Sequence, residues 1–195
     1  MDLRKDGTLN PEQKARILDS VRKASKSKFV IVYHHSHFWV ETWGISAPPG
    51  RDPRVNRFDT PAWQVRWARE LIDAGASLYV AHGEPSLHGV EVYKERPILY
   101  GLGNYIFNSV NSPDRYGPLA YYSAVAWCEF VDGKLAALRF RPLVLSLDSA
   151  PGPRGIPYLA QGGEATTVLE RLVRLSSTHG TNMTIEGETA TVVLK

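Results

Sequence analysis

Residues 29–37 read Phe29-Val30-Ile31-Val32-Tyr33-His34-His35-Ser36-His37, and residues 77–83 read Ser77-Leu78-Tyr79-Val80-Ala81-His82-Gly83. Each is a short apolar run that stops at histidine. Runs this short fit strands buried on both faces better than helices. Between them, Thr60-Pro61 opens a helix in which Trp63, Trp67 and Leu71 recur every four residues beside Ile72. Gly75 supplies the residue expected just past a helix C-terminus. Strand, loop, helix, strand in this order is a parallel βαβ unit with a right-handed crossover. Such a unit brings His35 and His82 to the C-terminal ends of neighbouring strands, where open α/β sheets place their sites. Side chains alternate along a strand, so His35 and His37 share a face and His34 opposes them.

Working outward, Asn10-Pro11-Glu12-Gln13 is a helix start, with Asn10 as N-cap and Pro11 in the first helical position. Ile17, Leu18 and Val21 give that helix one apolar stripe, and it ends near Ser25. Residues 44–60 form a loop broken by Pro48, Pro49, Gly50 and Pro53. Downstream, residues 90–93 and 98–100 are strands, followed by a turn at Gly101-Leu102-Gly103-Asn104. Residues 121–131 and 135–147 form a long hairpin closed at Asp132-Gly133. Residues 164–176 form a helix, and a small hairpin around Gly187 ends the chain. The expectation is an α/β fold with an antiparallel β tail, in one domain over residues 1–195.

Composition narrows the function. The 195 residues carry 23 basic and 20 acidic side chains, a net charge of +3, too mild to point to nucleic acid. Cys128 is alone, which excludes an intrachain disulfide and a thiolate metal cluster; a buried structural thiol is expected. No apolar stretch near the N-terminus has the length of a signal peptide, and none approaches the ~20 residues of a membrane-spanning helix.

Six histidines are present, three of them in residues 34–37. Imidazole is a common ligand for zinc, iron and manganese, so His35 and His82 at adjacent strand ends form a candidate half-site. Their other reading is hydrogen bonding to loop backbone. Arg51, Arg54 and Arg57 could pair with phosphate or carboxylate, or simply face solvent. Trp39 and Trp43 are candidate site walls.

Several stretches together resemble a known family. Residues 29–37 are similar to its strand ending in a metal-binding His. Ala68-Arg69-Glu70-Leu71-Ile72-Asp73-Ala74-Gly75-Ala76 resembles the helix that follows, and Ala81-His82-Gly83 occupies the place of a Gly-His-x-x-His motif. Gly89-Val90-Glu91-Val92-Tyr93 and Pro97-Ile98-Leu99-Tyr100-Gly101-Leu102-Gly103-Asn104-Tyr105-Ile106-Phe107 match a long, specific block. The stretches around Arg154-Gly155-Ile156-Pro157 and residues 175–181 resemble its tail. The chain thus resembles the C-terminal half of the poly-γ-glutamate capsule biosynthesis (CapA-like) family of bacteria.

The resemblance implies a metallophosphoesterase-like sheet sandwich flanked by helices, with a two-metal centre. It implies catalytic and metal-binding roles for His35 and His82, with His37 as a further ligand. It implies supporting or substrate-binding roles for Glu91 and Asn104. The second His of the motif falls on Pro85, which has no ligand atom, leaving Glu84 and His88 as nearby substitutes. The family's N-terminal motifs, which supply further ligands, have no counterpart in these residues. Three readings follow: a metal-dependent hydrolase (Mn, Fe or Zn) acting on a phosphoester, a non-catalytic module binding an anionic polymer, or a partial unit whose exposed sheet surface promotes self-association.

Overall fold

The strand at Leu78–His82 (β2) is buried from both sides, and its two faces define two cores. Leu78 and Val80 face one; Tyr79 and Ala81 face the other. The computed structural model describes residues 9–36, 59–108, 118–147 and 154–194. His37, Trp39, Trp43, Arg51, Arg54 and Arg57 lie outside the described residues.

Pairing follows the βαβ expectation. The strand Ile31–His35 (β1) runs parallel to β2 with Ile31 opposite Leu78 and His35 opposite His82. The strand Arg96–Leu99 (β4) joins the far side of β2 in parallel, and Val90–Tyr93 (β3) pairs antiparallel with β4. The first sheet therefore has the order β1-β2-β4-β3.

Helices Pro11–Ser25 (α1) and Ala62–Asp73 (α2) cover one face of this sheet. The Asn10 side chain accepts hydrogen bonds from the Glu12 and Gln13 N–H groups, as the cap reading requires. In α2, Trp67, Leu71 and Ile72 are buried against Tyr79, Ala81, Ile98 and Tyr100, while Trp63 is only partly covered. Each such apolar side chain contributes roughly 1.5–3 kcal/mol on burial. Gly75 ends the helix at φ +108, where a Cβ would collide with the Ser25 side chain of α1.

The second sheet is antiparallel. Tyr122–Val131 (β5) and Lys134–Leu145 (β6) form the expected hairpin, turning through Asp132 and Gly133, both at positive φ. Met183–Glu186 (β8) and Thr189–Val192 (β9) form the terminal hairpin, and β9 adds to β6. A short strand, Pro157–Leu159 (β7), also pairs with β6; it follows a Pro-Gly loop and carries no alternation that marks it in sequence. Helix Gly162–Ser177 (α3) packs on the inner face of this sheet beside β3, burying Val168, Leu169 and Leu172. The result is an α/β sandwich, with two sheets flanked by three helices among the described residues.

Two features differ from the sequence reading. The β3–β4 turn is only two residues, Lys94 and Glu95, both at positive φ without glycine or asparagine. Lys94 makes a 2.6 Å ion pair to Asp73 at the end of α2, on the solvent-exposed surface. Helix α2 starts at Ala62, one residue past the Thr60-Pro61 pair expected to open it; Pro61 is the N-cap, and the Thr60 hydroxyl lies 3.2 Å from His179 Nε2.

Candidate functional site

The parallel register of β1 and β2 sets His35 and His82 side by side, with their Nδ1 atoms 3.2 Å apart and ring centroids 4.6 Å apart. Behind them, the Ser36 N–H donates to the His82 carbonyl at 2.8 Å. Gly83 makes this approach sterically feasible. Its φ is +107, and a Cβ there would lie 2.5 Å from the Ser36 carbonyl oxygen. Tyr33, one alternation before His35, stacks on the His82 ring at 4.0 Å and 16°. The Tyr33–His82 stack follows from the same period-2 rule that separates His34 from His35, once the register is known.

His34 points to the other face. Its Nδ1 lies 2.6 Å from the Tyr79 hydroxyl, and its ring sits edge-on to Trp63. Burial, with the charges of His82 and His35 adding to it, lowers its pKa to about 4. His34 is therefore neutral at physiological pH and serves the fold.

Beneath the strand ends runs a narrow cleft bordered by Ser36, Gln64, His82, Glu84, His88 and Tyr100. Glu84 and His88 are both buried along it. Glu91 lies elsewhere on the same side of the sheet as Tyr100. It is 3% exposed, accepts from Arg69 at 2.7–2.9 Å and accepts the Tyr100 hydroxyl proton at 2.5 Å. Burial, then the Glu91 hydrogen bond, raises the Tyr100 pKa, so this phenol remains a donor. Gln64 Nε2 donates to the Tyr100 carbonyl, so Tyr100 links the cleft to Glu91. Asn104 Nδ2 bridges the carbonyls of Pro85 and Ala120, tying the loop after His82 to the entry of β5.

The His pair fits a metal in part. Two imidazole nitrogens bound to one tetrahedral ion at 2.0–2.1 Å stand about 3.3 Å apart. The 3.2 Å between the two Nδ1 atoms matches that spacing, and it is equally the length of a hydrogen bond between the two rings. Among the described residues, no three His, Cys, Asp or Glu side chains converge as a metal-holding group. His35 and His82 together would supply two imidazole nitrogens to an ion, with Glu84 and His88 along the neighbouring cleft. Cys128 is only half-buried against the core of the second sheet, less than the fully buried thiol expected from sequence, and burial pushes its thiol up to about 11.

Comparison with known proteins is consistent with the motifs. The profile of the bacterial capsule synthesis protein family PGA_cap matches residues 2–109. An uncharacterized protein of Sinorhizobium fredii, y4sH, is 34% identical over 217 aligned positions, covering 91% of this chain and 44% of its own length. A probable polyglutamine synthesis accessory protein of Mycobacterium tuberculosis is 25% identical over 57% of this chain and 26% of its own. The capsule biosynthesis protein CapA of Bacillus anthracis is 27% identical over 52% and 21%, respectively. The chain spans less than half the length of these relatives. With more than half of its residues matched by the profile and a third of them shared with a relative along nearly its whole length, the chain belongs to the PGA_cap family of bacterial capsule synthesis proteins.

Proposed function

We propose that the protein acts in poly-γ-glutamate capsule biosynthesis, and that His35 and His82 are two ligands of a divalent manganese, iron or zinc ion used in phosphoester-type hydrolysis. The observation that carries the metal reading is the 3.2 Å separation of the two Nδ1 atoms at the ends of paired parallel strands. A bound ion would supply Lewis acidity and a lowered pKa for water. The chain's own residues do the positioning. The β1–β2 register fixes the distance between the rings, Tyr33 holds the His82 plane, and Gly83 lets the strand ends close.

The test is metal content by plasma mass spectrometry on tag-free protein, beside His35→Ala and His82→Ala. Near-stoichiometric metal that falls in both variants supports the reading. Metal at background after incubation with each ion refutes it. Hydrolysis of a generic phosphodiester, abolished by His35→Ala, would then establish catalysis.

A second reading is a non-catalytic module that binds the anionic polymer. Pro85, in place of the motif's second histidine, favours it. Binding of poly-γ-glutamate without turnover, unaffected by His35→Ala, would select it.

A further inference from the structure

The segment after α3 is pinned to the first sheet. The Ser176 and Thr181 hydroxyls accept the outward N–H groups of Val90 and Val92 at 3.0 and 3.1 Å, which closes the β3 edge. Between these two anchors stands His179, whose backbone N–H donates to the Ser176 carbonyl at 2.9 Å. Its ring is seated over Gly89, where a Cβ would come within 2.7 Å of His179 Cδ2. From that seat it lies against the Tyr100 ring, with centroids 4.7 Å apart, and its Nε2 stands 3.2 Å from the Thr60 hydroxyl.

These contacts reach both walls of the cleft. One wall is the segment that follows His82. There the His88 N–H donates to the Gly101 carbonyl and the Tyr100 N–H to the Gly89 carbonyl, at 2.9 and 3.2 Å, so Gly89 and Tyr100 belong to the backbone ladder that carries His88 into the cleft. The other wall is the start of α2, with Pro61 and Gln64. That start lacks a side-chain cap, because Pro61 is the N-cap, and so it misses the support a polar cap gives. It is tied to the first wall by the Thr60–His179 contact and by the 3.3 Å bond from Gln64 Nε2 to the Tyr100 carbonyl. His179 makes the first of these ties itself and backs the tyrosine that receives the second.

We propose that His179 is a positioning residue of the cleft: seated on Gly89 and Tyr100, it fixes Thr60, and with it the Pro61–Gln64 wall of the cleft that also borders His82 and Glu84. A threonine hydroxyl both donates and accepts, so the tie forms with either tautomer of the imidazole. The effect of His179 on metal affinity rests on the proposed role of His35 and His82; its effect on the cleft does not.

The test compares His179→Ala, Thr60→Val and the double variant with the parent chain, all metal-free and each confirmed as folded by urea unfolding. The readouts are the ring resonances of His82 by NMR and amide exchange at Gln64 and Val65, whose N–H groups donate to the Pro61 carbonyl. Each single variant should shift the His82 ring in the same direction and speed exchange at the two amides by about tenfold. The double variant should add little to either, because both substitutions cut one tie. Leu138→Val, a core change in the second sheet, controls for lost stability and should leave His82 in place. In a zinc titration, the apparent Kd should rise about threefold or more in both single variants. A parent chain that binds no zinc would sink the metal reading, and the His82 ring and the two amides would still decide this one. An unmoved His82 ring, effects of the two substitutions that simply add, or an equal shift in Leu138→Val would each overturn the proposal.

Discussion

Gly83 packs directly against the backbone of Ser36: a Cβ on Gly83 would stand 2.5 Å from the Ser36 carbonyl oxygen. The contact holds the ends of β1 and β2 together just where His35 and His82 meet. Gly83→Ala must both leave φ +107 and part the strand ends. It should cost about 2 kcal/mol or more of stability, read from urea unfolding. It should also lower metal uptake, measured by plasma mass spectrometry, while both histidines remain present.

Removing the buried carboxylate of Glu91 leaves the Tyr100 hydroxyl and the Arg69 guanidinium without their shared acceptor. Arg69 is half exposed and can turn to water, so the cost falls below that of a fully buried pair. Glu91→Ala should destabilise the protein by about 2–3 kcal/mol, and Glu91→Gln by less, because the amide oxygen still accepts. Chemical unfolding of the two variants side by side gives the order.

Ser176 makes two buried bonds: its hydroxyl donates to the Leu172 carbonyl at 2.7 Å and accepts from the Val90 N–H at 3.0 Å. Ser176→Ala strands the Val90 donor at the closed edge of the first sheet. A loss of about 1–3 kcal/mol is expected, with faster amide exchange at Val90 than elsewhere in β3. Equal exchange throughout β3 would show that the hydroxyl does not close that edge.

His179 gives the fold a pH dependence. Burial lowers its pKa below 6.5, outweighing the opposite pull of Glu91, while Arg69 adds to the lowering. Below pH 6.5 the unfolded chain takes up a proton that the folded imidazole resists. The stability present above 6.5 is therefore lost as the pH falls. The urea midpoint should drop on acidification from pH 7, and His179→Gln should flatten that slope. The part that remains belongs in part to His34, whose pKa is held near 4.

The β1–α2–β2 unit was legible because its signals are local: β-branched runs, a four-residue apolar period, and Gly75 at a helix end. The β5–β6 hairpin was legible for the same reason, through Asp132-Gly133. The Lys94-Glu95 turn and β7 were not. The short strand is set by a partner distant in sequence, β6, and the turn has no glycine or asparagine at its positive-φ positions to announce it. Local propensity is weak enough for such contacts to override it.

For the site, sequence placed His35 and His82 at neighbouring strand ends and opposed His34 to them, because alternation along a strand is fixed by backbone geometry. Sequence also located Pro85 where the family motif has histidine. Tertiary structure decided the rest. The 3.2 Å between the two Nδ1 atoms depends on strand register. The Tyr33 stack, the burial of Glu84 and His88 along one cleft, and the capture of Glu91 by Arg69 and Tyr100 depend on which chain segments pack together. So does the contrast between a β3 edge closed by two hydroxyls and a β1 edge that has no second partner strand among the described residues. A sequence specifies which side chains a strand presents to each face, but only the folded chain determines what lies opposite them.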